Sequence, residues 1–395
     1  MIGNSLTGGT SLGFFGRLKN SLFGVLVGLL FVPGAVALLG WNEYRTVQRS
    51  RGLAEAAGLI QSIPDIQQPA PQLNNSLVHL SGMARADGEL RDVDFQVVSK
   101  GLRLQRQVEL FQWHEETESA KQSNSSRGEK REVRYEQKWS RKPIDSSKFK
   151  QPEQHRNPAP RYREQTYDAS KIQVGVYELS DSLKSAISNW TDIALDIDSI
   201  MLALPEEQWE HFSGDANQLY YSTTGGSPNS PQVGDLRIKF TECLPTDVSV
   251  AANLQGGRLE DFRTSNGQSI ERLFMGQMSA ADIMDRLVTE NTIVAWGIRF
   301  GGTFLCVVGF TLILGPISAM TSFIPILGRL TSGLVFLAAV LMSVVLCSMT
   351  IAIAWIAVRP VLGGSLLVVS GIGVFLLFRL RAANTPSSLP QAMGQ

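Results

Sequence analysis

Three apolar runs fill the C-terminal quarter of the chain, about Gly301–Met320, Leu334–Val358 and Val361–Phe378. Charge is confined to their edges and joints, at Arg299, Arg329, Arg359 and Arg379. A helix crossing about 30 Å of hydrocarbon needs about 20 apolar residues, because its backbone groups can bond only to one another there. The runs meet that length. A soluble core helix would be interrupted by polar residues every turn or two, and Arg at the joints suits helices that end at a membrane surface. Short joints at Phe323–Gly328, with Pro325, and at Arg359-Pro360 would make the three spans one antiparallel bundle.

Whole-chain averages hide this. The chain is 44% hydrophobic, with a mean hydropathy of +0.01, a formal net charge of +0 and a pI near 6.9, as an ordinary globular protein would be. Those figures average a greasy end with a very polar middle. Zero net charge argues against nucleic acid as a partner, since binding it normally needs a basic excess. Cys243 lies in the polar middle and Cys306 and Cys347 in spans, so neither a disulfide framework nor metal-ligand spacing can be built from them.

Residues 1–20 are Gly/Ser-rich and contain Arg17 and Lys19 near their end. A first apolar segment follows at 21–41, with Pro33 inside it and Trp41 at its far edge. Two readings compete. The basic flank and Ala35-Val36-Ala37 resemble a cleavable signal peptide, whereas continuation through Leu38-Leu39-Gly40-Trp41 suits a retained anchor, the favoured reading. Gly24/Gly28 on this segment and Gly297/Gly301 at the start of the next are small-xxx-small pairs of the kind that lets helices approach closely.

Between Asn42 and Ile298 lies a polar region long enough for its own core. Asn42–Gly58 reads as a helical extension of the anchor. Several later segments alternate with the two-residue period of a half-buried strand. Val133, Tyr135 and Trp139 oppose Glu132, Arg134, Glu136 and Lys138; Leu236, Ile238 and Phe240 alternate with Arg237 and Lys239; Val248, Val250, Ala252 and Leu254 repeat the pattern. In Leu102–Trp113 the phase shifts. Leu102, Leu104, Val108 and Leu110 share one parity and Phe111 and Trp113 the other, as a bulge would require. This stretch and Lys130–Trp139 would form a long hairpin with a charged tip at about Glu115–Gly128. Arg141–Lys171, rich in Pro, Lys and Gln, is either an ordered loop crossing the domain or a flexible partner-binding segment. Ser279-Ala280-Ala281-Asp282 matches a capping box, with Ile283, Met284, Leu287 and Val288 at helical spacing behind it, so a helix should run through Trp296 into the second span.

The expected fold class is α+β. A β-rich antiparallel extramembrane domain, residues 42–298, is inserted between one N-terminal transmembrane helix and a three-helix bundle at 299–380, with a polar tail at 381–395. Four spans put both termini on one face and the domain on the other. Lys and Arg are balanced across the two faces and large domains cross regardless of charge, which favours cytoplasmic termini and a non-cytoplasmic domain. Asn74, Asn124 and Asn189 each open an Asn-x-Ser/Thr sequon in that domain.

No catalytic constellation stands out, and no catalytic, metal or cofactor residue is assigned. His79, His114, His155 and His211 are far apart, and none sits in a His-Glu-x-x-His pattern. Trp113-His114-Glu115-Glu116 sends neighbouring strand residues to opposite faces. A transporter is disfavoured because the span interiors hold no Asp, Glu, His or Lys. The informative charges are Arg299 and Arg359, both on the domain side of the bundle. There an Arg can snorkel to headgroup phosphates or pair with a carboxylate such as Glu43. Arg45 and Trp296 belong to the same interface, as candidate lipid or domain-bundle contacts.

A series of short motifs runs the length of the chain: Asn42-Glu43-Tyr44-Arg45, Val78-His79-Leu80-Ser81-Gly82, the block from Arg106 to Trp113, Asn157-Pro158, Val233-Gly234-Asp235-Leu236-Arg237-Ile238, Trp296-Gly297-Ile298-Arg299, and Trp355 with Arg359-Pro360. In this order they resemble the transmembrane protein 43 (LUMA) family. The resemblance implies a four-span protein with a luminal or periplasmic-type domain and both ends in the cytoplasm. Eukaryotic members are organisers of the endoplasmic reticulum and inner nuclear membrane that associate with lamins, emerin and themselves. This chain departs in its uncharged end, Ala382–Gln395, which points away from envelope retention; in an organism without a nucleus the cell membrane would be the site. The expected function is a non-enzymatic scaffold whose partners are membrane lipids, other membrane proteins and further copies of itself. The alternative is a membrane-embedded enzyme or processing factor with a site at the domain-bilayer junction.

Overall fold

The computed structural model describes residues 14–119, 131–321 and 325–358. The chain opens with α1 (Phe14–Leu59), which carries the first apolar segment through Pro33 and on into polar sequence without a break. Then come β1 (Gln61–Ser62), β2 (Leu77–Ala86), the short pair β3 (Leu90–Arg91) and β4 (Val98–Ser99), and the long hairpin β5 (Arg103–Ser119) and β6 (Arg131–Ser140). β7 (Gln165–Asp168), β8 (Ile172–Val174), β9 (Tyr177–Leu179), α2 (Asp181–Ser185), β10 (Trp190–Asp192) and α3 (Ile197–Ala203) follow. A 3-10 turn, Glu206–His211, leads to β11 (Phe212–Asp215), β12 (Gln218–Tyr221), β13 (Leu236–Cys243) and β14 (Thr246–Gln255). β15 (Arg258–Glu260), β16 (Phe262–Arg263), β17 (Ser269–Ile270) and β18 (Arg272–Met275) precede the two last described helices, α4 (Ala280–Thr321) and α5 (Pro325–Val358).

The fold is α+β, a strand-rich domain between an N-terminal helix and two apolar C-terminal helices. Among the described residues three helices are long and apolar enough to cross a membrane, within Leu22–Leu59, Ala280–Ile317 and Gly333–Ile356. The C-terminal count therefore differs from the expected three: two helices are described, and the third run, 361–378, lies outside the described residues, as do Arg359 and the hairpin tip at 120–130. Of the joint expected at Phe323–Gly328, residues 325–328 are helical. Pro325 opens α5 at a position where its missing N–H would have had no partner in any case.

Two compact units divide the described chain. One is Gly52–Arg286; the other joins α1 up to Arg51 with the chain from Leu287 on. In the first, antiparallel β2 and β14 pair from Leu77↔Asn253 to Ala84↔Thr246. The ring closes through β8, β9 and β15, with β1 and β18 added outside it. Val78, Leu80, Val174, Tyr177, Leu179, Val250 and Leu254 fill one core. The second sheet runs β11-β12-β13-β5-β6, with β10 on β13 and β7 on β5, over a core that includes Leu104, Val108, Leu110, Ile238 and Phe240.

No bulge interrupts β5. Its register runs residue by residue against β13 from Arg103↔Cys243 to Leu110↔Leu236, then against β6 from Leu110↔Ser140. Phe111 and Trp113 lie on the second face, where each has an aromatic neighbour: the cross-strand Trp139, its ring 5.1 Å from Phe111, and His155 of the following loop, its ring 4.7 Å from Trp113. Arg106 sits on the core face and is buried, satisfied by Asp92 at 2.9 Å and Asp94 at 2.5 Å. Of the two readings of 141–171, the ordered loop is the one observed. Asn157 behaves like a further strand, accepting from Trp113 N at 2.8 Å and donating to the carbonyls of Trp113 at 3.0 Å and Ile144 at 3.3 Å.

In the helical unit α1 and α4 are antiparallel along one seam: Gly28 faces Gly309, Leu39 faces Gly302, Asn42 faces Ala295 and Thr46 faces Asn291. Small residues set the spacing. A Cβ on Gly28 would stand 2.5 Å from the Gly309 carbonyl oxygen, and one on Gly309 2.8 Å from Val32 Cγ2. Ala35, Leu39, Cys306 and Cys347 form the buried centre, to which α5 contributes a stripe of Val335, Ala339, Ser343 and Cys347. The other faces carry exposed large side chains such as Leu30, Phe304, Phe336 and Val345, as a lipid-facing surface requires.

Candidate functional site

The densest polar chemistry in the helical unit is at Glu43, on the turn of α1 just past its apolar segment. Its side chain is 1% exposed. Arg299 of α4 donates to it through Nε at 2.7 Å and Nη2 at 2.8 Å, and Trp355 of α5 donates its indole N–H at 2.8 Å. A single carboxylate thus collects donors from both other described membrane helices. The Arg pair is bidentate and charge-assisted, the strong form of such a bond. The Trp296 ring covers the guanidinium, with Arg299 Cζ 4.9 Å from its centroid. Arg299 is therefore held by Glu43 and Trp296, although α4 places it at a membrane edge.

One helical turn away the seam turns to amides. Asn42 Nδ2 donates to the Ala295 carbonyl at 3.2 Å, and Asn291 Nδ2 donates to the Thr46 carbonyl at 3.1 Å. Each amide clips a carbonyl of the opposite helix, and both side chains are buried. Neither Asn291 nor Trp355 stands out as a site residue in the sequence. Asn291 precedes Ala295 by one turn, as Asn42 precedes Thr46, so the antiparallel register was the signal that could have found the pair.

The other sequence candidates divide. Arg45 is half-buried, with Nη1 enclosed and without a partner; Arg359 lies outside the described residues. Gly28 is at the closest approach of α1 to α4, and Gly24 makes ordinary contact with Leu312 at 3.5 Å. Gly297 and Gly301 meet nothing within 4 Å, and the glycines of α4 that matter to the seam are Gly302 and Gly309. Cys306 and Cys347, distant in sequence, share one buried cluster as free thiols.

The histidines stay apart. His155 stacks on Tyr135 with ring centroids 3.6 Å apart, and His211 Nε2 lies 3.8 Å from Glu210. Among the described residues no group of three or more His, Cys, Asp or Glu could hold a metal. A cleft of about 850 Å³ opens between Val108, Leu110 and the 141–164 stretch, and neither His nor Cys lines it.

His79 is the buried one. Its Nε2 lies 2.9 Å from the Met278 carbonyl and its Nδ1 3.1 Å from Ser62 Oγ, an arrangement that suits a neutral ring donating from Nε2 and accepting at Nδ1. Ser81 and Ser249 extend the network, 2.7 Å apart, with Ser249 accepting from Met278 N at 2.7 Å. Burial pulls the His79 pKa below the ordinary value, and the Met278 carbonyl opposes this only in part. The native state therefore resists a proton that the unfolded chain accepts at about pH 6.5, so stability present above that pH is lost as pH falls below it toward the lower native value. Acidifying from about pH 8 to about pH 5 should lower the melting temperature of the wild type more than that of His79→Gln. Equal acid shifts in the two would exclude His79 as the cause.

The family profile described as Transmembrane protein 43 matches residues 110–360. Transmembrane protein 43 of Pongo abelii is 28% identical over 365 residues, covering 89% of this chain and 88% of that protein. The Homo sapiens protein is 28% identical over 361 residues, covering 88% of each, and the Drosophila melanogaster homolog 29% over 358 residues, covering 88% of this chain and 91% of the homolog. No solved structure matches. The profile reaches from within β5 through β18 and α4 to the end of α5, and the relatives extend the likeness to 88–89% of the chain: it belongs to the Transmembrane protein 43 family.

Proposed function

We propose that the chain is a non-enzymatic multi-pass membrane scaffold that organises membrane proteins or lipids and presents its strand-rich domain to partners. The observation that carries this reading is the occupancy of Glu43. Both of its oxygens are taken by Arg299 and Trp355, so this carboxylate is engaged in holding helices together and not in accepting a proton or a substrate. The polar groups of the helices serve cohesion. Their outer surfaces offer mostly large apolar side chains to lipid and neighbouring spans. Partners of this kind include lipids, other membrane proteins and a second copy. The large domain belongs on the non-cytoplasmic side, in the cell membrane of a prokaryote or the endoplasmic reticulum and inner nuclear membrane of a eukaryote.

Lipids and proteins retained on the full chain in native nanodiscs test the role. The expected result is a defined retained set that changes in Arg299→Leu and survives single substitutions of the domain histidines and carboxylates. A domain substitution that leaves fold and retained set intact yet abolishes complementation of a deletion strain would speak for catalysis instead. Sidedness has its own reporter in a eukaryotic host. Asn74 is exposed and should become glycosylated. An unmodified Asn74 beside a modified sequon introduced at the C-terminus would reverse the topology.

A further inference from the structure

The most exposed large hydrophobic side chain among the described residues is not on a membrane helix. It is Leu202 of α3, at 81%, ahead of Leu30 at 74% on the lipid-facing side of α1. Trp209 follows on the adjoining 3-10 turn, its indole N–H tied back to the Leu204 carbonyl at 3.1 Å and 37% of its surface open. Ser199, one turn before Leu202, borders an apolar groove of about 230 Å³ lined by Phe95, Val97, Val98, Ile193, Leu195 and Ile200. α3 and the turn that carries Trp209 are in contact, and an apolar side chain as open as Leu202 beside a second one is where a partner would gain by covering it.

Charge says what covers it. From Ser185 to Leu236 the sequence has no Lys or Arg, while Asp192, Asp196, Asp198, Glu206, Glu207 and Glu210 flank Leu202 and Trp209 along the chain; Arg161, its guanidinium 5.8 Å from the Tyr162 ring whose hydroxyl bonds Gln208, is a cation near the turn. Asp198 precedes Leu202 by one turn of α3, and Glu206 precedes Trp209 by one turn of the 3-10 helix, so each apolar group has an acid beside it. An anionic bilayer would be repelled from such a face. We infer that the α3 and Glu206–His211 face docks a cationic amphipathic protein segment, an apolar side chain covering Leu202 and Trp209 and flanking Lys or Arg meeting the acids. Apolar anchors ringed by complementary charge are how such segments are held. This inference rests on that face alone and is independent of the scaffold reading.

The test uses the full chain in zwitterionic nanodiscs and a synthetic Lys/Leu helix, with a scrambled peptide of the same composition as control. Leu202→Asp separates the two contributions. It adds negative charge, so pure electrostatics predicts tighter binding, whereas apolar docking predicts about tenfold weaker binding than wild type. Asp198→Asn with Glu206→Gln should weaken binding and flatten its salt dependence. Equal affinity for the scrambled peptide, or undiminished binding by Leu202→Asp, overturns the inference. So does a Trp209 fluorescence shift induced by phosphatidylcholine vesicles without any saturable peptide binding, which would assign the face to a lipid surface.

Discussion

Gly28→Ala is expected to destabilise the helical unit by about 1–3 kcal/mol, and Gly28→Leu by more, whereas Gly297→Ala and Gly301→Ala leave it unchanged or slightly firmer. The difference lies in what each new side chain meets. At Gly28 the Cβ would stand 2.5 Å from the carbonyl oxygen of Gly309 and 2.8 Å from Ile313 Cγ1. A backbone atom cannot swing aside, so α1 and α4 must separate along the whole seam. At Gly297 and Gly301 nothing lies within 4 Å. Gly309→Ala, whose Cβ would press on Val32 Cγ2 at 2.8 Å and Val32 N at 3.2 Å, should resemble Gly28→Ala. Denaturant or SDS titration of the purified protein, followed through helix-helix energy transfer, reads the difference. Equal loss in all four alanine variants would mean that the seam is not where α1 and α4 meet.

That contrast also shows where sequence stops being informative. Gly24/Gly28 and Gly297/Gly301 have the same spacing, and spacing establishes only that two small residues share a face of one helix. Which face turns inward depends on the partner helix and its register, a tertiary fact. The apolar runs were legible because hydrocarbon imposes a length and a composition on each helix separately. The strands were legible for the same local reason: alternation records a half-buried face wherever the strand lies. Phe111 and Trp113 broke the alternation without a bulge because both faces of β5 are covered there, and a strand covered on both sides loses its period.

The polar site was half-legible. A charge at a span edge limits its own choices, so Arg299 and Glu43 could be placed at one interface from sequence. Trp355 and Asn291 could not be given roles, since an indole or amide is ordinary at a membrane surface until its partner is known. Likewise, Cys306 and Cys347 looked scattered because sequence separation does not measure distance once helices are antiparallel. Nothing in the sequence marks Arg106 as a buried cation, because the acids that satisfy it, Asp92 and Asp94, belong to a turn without periodicity.

Glu43→Leu is expected to cost about 3–5 kcal/mol, and Arg299→Leu a similar amount, while the double variant Glu43→Leu/Arg299→Leu loses much less than the sum. Each single substitution leaves a charge where its counter-charge was, with the Glu43 side chain 1% and the Arg299 side chain 16% exposed. Glu43→Leu is the harsher for a second reason: Trp355 loses its acceptor and α5 its polar attachment to α1. Arg299→Leu leaves that bond in place but strands the carboxylate, and Trp355→Phe alone should cost about 1 kcal/mol, the net value of one hydrogen bond. Removing both charges leaves apolar side chains in an apolar setting, which a bundle tolerates. A double-mutant cycle by SDS titration in one lipid-detergent mixture checks all four variants. Additive single losses would mean that Glu43 and Arg299 act separately, as an edge charge and an acid each solvated by headgroups. A coupling of several kcal/mol would make the carboxylate the joint on which α1, α4 and α5 converge, and the pair would then stabilise the assembled bundle against any other arrangement of the same helices.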